Sequence, residues 1–317
     1  MMDDEASFLS KDGTKRILRW GSRLLTVAIF VFLFYRLSQL GWRDLWGALP
    51  TNPLFYALFV VIYLTLPVSE LLVYRQIWRL PFRSGFRALL KKRVFNEEIA
   101  GYSGEFYLFW WLRQKFGVTR GDAFRAVRDN NILSSFASTT VAFTLLGVLS
   151  ATGLLQLQDL FDNLNTAYVT IGVIAVLVVG IVGYRFRHYL FSLPRTTAYR
   201  ILGIHYGRLL IANALLVVQW MVGVPGIALA VWLTYLCMRI VLNRIPFLPS
   251  RDLFFLGASV ELSELIGTAT TQIAGMLLVT SVLGRIANAA LFVMVHYFDS
   301  EAKSVAEFDR DELAAEA

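Results

Sequence analysis

With 56% hydrophobic and only 17% charged residues over 317 positions, and a mean hydropathy of +0.57, this chain does not have a soluble domain's composition, which is roughly 45–50% apolar and about 25% charged. Its single cysteine, Cys237, excludes an internal disulfide and a cysteine metal site, and His188, His205 and His296 are too dispersed for a ligand spacing. The net charge of +7 flanks apolar runs, so it points to anionic lipid and away from nucleic acid.

Lys11, Lys15, Arg16, Arg19 and Arg23 precede the apolar run Leu24–Tyr35. No small-residue cleavage site follows it, so it reads as an uncleaved anchor behind a tail of residues 1–16. Leu54–Tyr74 is the second expected span, with Glu70 read as interfacial. Beyond it Arg75, Arg79, Arg83, Arg87, Lys91, Lys92 and Arg93 follow with no acid among them. Arg75, Arg79, Arg83, Arg87 and Lys91 recur every fourth residue, a spacing that stays on one slowly drifting helical face. This predicts a basic amphipathic surface on the cytoplasmic leaflet, interrupted at Pro81. Its role is to fix topology or to capture anionic head groups.

Val94–Leu112 is fairly apolar but has basic residues on both sides, which predicts a re-entrant segment entering and leaving from the cytoplasmic face. Gly101 and Gly104 permit a tight turn and close backbone approach there. Glu105 follows, then the aromatic run Phe106–Trp111 and Arg113. An ionisable group at membrane depth is a functional hypothesis. Glu105 therefore reads as part of a head-group site, or else as a helix cap or a partner of Arg113 or Arg128.

Ile132–Leu155 and Tyr168–Tyr184 are further spans, joined by Gln156–Ala167, which has no Lys or Arg. Arg185, Arg187, Arg195, Arg200 and Arg208 come next. This alternation of basic and non-basic loops predicts a cytoplasmic amino terminus. Leu209–Leu236 contains Val224-Pro225-Gly226 and is read as one kinked helix, with a tight helical hairpin as the alternative. Pro246–Thr268 is the second expected re-entrant segment, with Gly257, Glu261 and Glu264. The two acids are three residues apart, on one helical face, and Arg285, in the last span Leu277–Phe298, is the expected counter-charge. An acidic tail, 299–317, closes the chain.

The fold expected is thus an all-α polytopic membrane protein with six spans, up to eight, and two re-entrant segments. The membrane domain covers 17–298, as pseudo-repeats 17–155 and 168–298 that read as an inverted repeat. Pro67 and Pro225, Glu105 and Glu261, and Arg128 and Arg285 recur at offsets of 158, 156 and 157. No Walker loop, Rossmann glycine pattern, HExxH or GxSxG is present, so no cofactor or metal is expected.

Gly104-Glu105, a stretch closing in Ala126-Val127-Arg128, then Pro246-Phe247-Leu248-Pro249, Gly257 to Glu261 and Leu283-Gly284-Arg285 together resemble the motifs of the lysylphosphatidylglycerol synthase transmembrane region family, the flippase-like proteins. The similarity covers most of 17–298, with Ser250-Arg251-Asp252 standing where that family has glycines. The resemblance implies an inner-membrane lipid flippase or transporter with a polar cleft. It implies Glu105, Arg128, Glu261 and Arg285 as residues around the substrate, and the ionisable residues beside them add Arg113 and Glu264 to the expected site. The alternatives are a non-catalytic membrane partner of a lipid- or glycan-modifying enzyme, and a membrane-embedded transferase. Some family members carry a soluble aminoacyl-transferase domain; these residues do not include it, so lysyl transfer is not expected of them.

Overall fold

A computed structural model describes residues 31, 34–35, 37–98, 102–152, 191–243 and 251–315. Most of the expected first span, the loop Gln156–Ala167, the span Tyr168–Tyr184, Gly101 and Pro246–Pro249 lie outside the described residues.

The described residues contain no strand. Their helices are α1 (Trp42–Gly47), α2 (Pro53–Ile77), α3 (Phe82–Glu98), α4 (Ser103–Phe116), α5 (Arg120–Ala151), α6 (Arg195–Gly223), α7 (Leu229–Leu242), α8 (Arg251–Leu265) and α9 (Thr270–Ala315). Four stretches, Pro53–Ile77, Arg120–Val148, Arg195–Gly223 and Thr270–Met294, are long and apolar enough to cross a membrane. They bury little of themselves: only 11% of the most apolar window of Arg120–Val148 is inside the protein. Exposed apolar residues such as Phe136 and Phe143 suit lipid, which is as apolar as they are.

Local sequence starts and stops these helices. Pro53 opens α2, and Asn52 Oδ1 accepts a 3.0 Å bond from the Leu54 amide, satisfying an otherwise orphaned donor. Thr119 Oγ1 accepts from the Asp122 amide at 3.2 Å and donates to the Asp122 carboxylate at 2.7 Å. It thereby starts α5. Pro67 sits inside α2 and lacks the N–H that would bond the Tyr63 carbonyl four residues back.

The fifth span is not one kinked helix. α6 ends at Gly223, and Val224–Ala228 leads into α7. Pro225 cannot continue the hydrogen-bond ladder, and Gly226 has φ +88°, a value that favours glycine. Among the described residues, α2–α5 and α6–α9 each run long helix, two short helices, long helix. The starts Phe82, Ser103 and Arg120 recur at Leu229, Arg251 and Thr270, offsets of 147, 148 and 150. The landmark residues recur at 156 to 158 and so fall at different points of their helices: Glu105 lies in the first turn of α4 and Glu261 near the end of α8. The expected segment Val94–Leu112 takes in the end of α3 and most of α4. Gly257 is buried within α8 and is not a turn residue. The tail after 298 continues α9.

By contacts the chain divides into two compact units. The unit made of 1–57 and 217–282 is built around aromatic rings. Trp220 lies 5.8 Å from Trp232 and 6.0 Å from Phe255. Tyr235 shares a 2.6 Å hydrogen bond with Ser263 Oγ. The unit made of 58–216 and 283–317 has an apolar core of Leu71, Tyr74, Leu80, Leu89, Leu108, Leu112, Ala123 and Val127. In it α3 and α4 cross at Gly104, where a Cβ would fall 2.0 Å from the Lys92 carbonyl oxygen. Only glycine lets the two backbones come so close.

Gly104→Ala is expected to lower the melting temperature, since forced backbone shifts cost roughly 1–3 kcal/mol or more. Gly147→Ala, where nothing lies within 4 Å, is expected to be neutral or stabilising. Thermal unfolding of both purified variants checks this; equal melting would refute the close crossing.

Candidate functional site

The second unit buries a group of charges at that crossing. Lys92 of α3 is 2% exposed. Its Nζ contacts Glu70 Oε1 of α2 and lies 3.3 Å from Glu105 Oε1. Glu105 is in the first turn of α4, where the helix dipole favours an anion. One ammonium thus serves two carboxylates. Burial works against the Lys92 charge, and the two carboxylates offset that cost.

Arg93, the next residue, forms a second layer. It donates to the Tyr63 carbonyl, the oxygen that Pro67 leaves without a helical partner. Its guanidinium lies 3.7 Å from the Tyr63 ring centroid, and its Nε donates to Glu97 at 3.1 Å. The Tyr63 hydroxyl donates to Asn288 Oδ1 of α9. Asn288 Nδ2 donates to Glu97 at 3.0 Å and to Glu98 at 2.8 Å.

A third layer joins α5 and α6. Asn130 Nδ2 donates to the buried Tyr74 hydroxyl at 3.4 Å, and Asn130 Oδ1 faces His205 Nε2 at 2.9 Å. That carbonyl oxygen can only accept, so Nε2 carries the proton of this contact. Arg208 follows His205 by three residues on α6. Next to Asn130, Asp129 is fully buried. It accepts from the Ser192 amide and hydroxyl, the Leu193 amide and Arg128, and so fixes the chain's entry into α6.

Glu105 belongs to the buried group, but neither Arg113 nor Arg128 is its ion-pair partner. Arg113 lies over the Phe109 and Trp110 rings, at 5.7 and 5.2 Å, and Arg128 pairs with Asp129 at 2.8 Å. Glu70 is buried, not interfacial, because Lys92 draws it in. Glu261 is half-buried, and Glu264 and Arg285 are exposed, so Glu264 does not turn inward as expected. Arg75, Arg79, Arg83 and Arg87 are exposed, but Arg75 ends α2, Arg79 lies in the connection, and Arg83 and Arg87 are on α3. Pro81 therefore splits the stripe between two helices, and Lys91 lies over the Phe95 and Tyr107 rings.

Lys92, Arg93, Tyr63, Asn288, Asn130, His205 and Arg208 were not singled out as site residues. Lys92 is hidden among seven basic residues. The readable signal was Pro67, which orphans a carbonyl four residues upstream. Among the described residues no group of three or more His, Cys, Asp or Glu could hold a metal ion.

No protein-family model, curated protein or solved structure matches the chain.

Lys92→Met is expected to lose about 3–5 kcal/mol, the usual consequence of stranding a buried charge. Adding Glu70→Gln and Glu105→Gln to it should recover most of that loss, because an apolar replacement for a whole buried group is often neutral. Chemical or thermal unfolding in detergent measures both, and no recovery in the triple variant would contradict the shared-charge arrangement.

Proposed function

We propose that this protein is a lipid transporter of the flippase type, in a cell inner membrane with its amino terminus cytoplasmic. It carries a polar head group past the charged group on α2, α3 and α4. The observation that carries the reading is buried Lys92 with buried Glu70 and half-buried Glu105, where the helix pair α3–α4 meets the long apolar helix α2. Charges at membrane depth are expensive and mark substrate or ion pathways. Helix pairs too short to span, set between spans, are where transporters place such sites.

In this reading α3 and α4 form a re-entrant pair whose polar side offers fixed charges to the head group, while acyl chains stay among the exposed apolar side chains. The motif resemblance around Gly104-Glu105 agrees with the same function. The exposed arginines at 75, 79, 83 and 87 suit a leaflet rich in anionic lipid, where each contributes on the order of 1 kcal/mol.

Glu105→Gln keeps the side-chain shape and leaves Lys92 paired with Glu70, so the variant is expected to fold. In proteoliposomes it should move fluorescent phospholipid between leaflets at least about tenfold more slowly than wild type. Movement at the wild-type rate would remove Glu105 from the pathway, and no movement above protein-free vesicles with wild-type protein would reject the transporter reading.

A further inference from the structure

Among the described residues no carboxylate pairs with Arg113, which is half-buried in the last turn of α4. Aromatic rings hold it instead: the guanidinium lies over Trp110 at 5.2 Å and over Phe109 at 5.7 Å. Trp110 is exposed, and two more exposed rings, Phe106 and Tyr102, continue the line toward the start of α4. The Phe106 amide bonds the Tyr102 carbonyl, so Tyr102 keeps the helical spacing although it is the N-cap. At about 100° per residue, Tyr102, Phe106, Phe109, Trp110 and Arg113 fall within an arc of about 100°. The buried residues of the helix, Gly104, Leu108 and Leu112, lie on the other side.

This face is aromatic along its length, with one cation at its end and no acid on it. Glu105 lies beside it and is turned to Lys92. Exposed rings alone would suit any lipid, but the arginine adds a requirement. A guanidinium resting on rings keeps its N–H edge free, and that edge matches two phosphate oxygens. Length adds another. The rise from Tyr102 to Arg113 is about 16 Å, and the hydrocarbon of one leaflet is about 15 Å thick. A phosphate at Arg113 therefore leaves an acyl chain just the run of rings to lie on.

We propose that the outer face of α4 binds one phospholipid with a net negative head group, its phosphate on Arg113 and an acyl chain along Trp110, Phe106 and Tyr102. This rests on α4 standing in the cytoplasmic leaflet as half of the re-entrant pair. The lipid is a resident one, held apart from the buried charges around Lys92. A zwitterionic lipid offers the same phosphate but brings its own cation, which Arg113 repels. A second copy of this chain meeting the face through the same face would bring another cation and no acid to answer Arg113.

The test is binding, kept separate from transport. The purified full chain is titrated with phosphatidylglycerol and phosphatidylethanolamine, each with long and with short acyl chains. Native mass spectrometry counts bound lipid and the number of chains per particle, and glycerol phosphate is run beside the lipids. Long-chain phosphatidylglycerol should bind most tightly. Arg113→Gln should weaken it about tenfold, as expected for one charge-assisted hydrogen bond lost. Arg200→Gln, at an exposed position of α6, should leave it unchanged. Phe106→Ala should remove the advantage of long chains over short ones. Melting curves confirm that each variant is folded; Phe106 is exposed, so should Arg113→Gln not fold, the chain-length measurement decides. Wild-type affinity in folded Arg113→Gln, equal affinity for the two head groups, or a chain-length advantage unchanged in Phe106→Ala overturns the proposal. Glycerol phosphate bound as tightly as the lipid, or a dimer that Phe106→Ala dissociates, would also overturn it and assign the face to a soluble phosphate or to a second copy. No step here uses transport, so failure of this site leaves the transporter reading standing, and Arg113-dependent lipid binding without transport rejects that reading and leaves this site standing.

Discussion

A buried ammonium must be answered by negative charge or it will not stay buried, and Lys92 is answered twice. Glu70 and Glu105 reach it from α2 and α4. That sharing draws three helices to one point in a region with little water to do the same work. Where lipid surrounds a protein, apolar contact gives little preference for one helix neighbour over another. Polar groups that lack any other partner then carry much of the specificity. The tyrosine, asparagine and arginine bonds around Lys92 extend that logic outward to α5, α6 and α9.

The backbone makes room for this chemistry at two positions. Gly104 lets α4 come against the Lys92 carbonyl, which places Glu105, one residue on, beside the Lys92 ammonium. Pro67 removes one hydrogen bond from α2 and exposes the Tyr63 carbonyl to Arg93. Neither residue touches a ligand in this account, yet both set where the charges stand. The cluster's pairing is not complete: among the described residues Glu105 Oε2, His205 Nδ1 and Arg208 Nε have no hydrogen-bond partner.

The class of the fold was legible because long apolar runs report directly on lipid, and the helix pair at 82–116 was foreshadowed by an apolar stretch flanked by basic residues on both sides. Glu105 and Gly104 were legible for the same reason, as an acid and a glycine in apolar surroundings. Lys92 was not, because in a run of seven basic residues nothing local separates the one that turns inward from those that face out. Glu70 was misplaced with it, since its burial depends on a partner 22 residues away. The helix break at Pro225-Gly226 was visible as a signal but ambiguous, because proline is tolerated within membrane helices. The offset of 156 to 158 came from matching residue types, whereas the helices themselves recur at 147 to 150.

The sharing of one ammonium by two carboxylates is tested most directly by a double-mutant cycle between Glu70 and Glu105. Removing either acid leaves Lys92 with the other, so each single Gln variant should be only mildly destabilised. Removing both leaves the ammonium alone, and the double variant should lose more than the sum of the singles by roughly 1–3 kcal/mol. Strictly additive losses would mean that the two acids act independently, and the central arrangement described for this protein would be wrong.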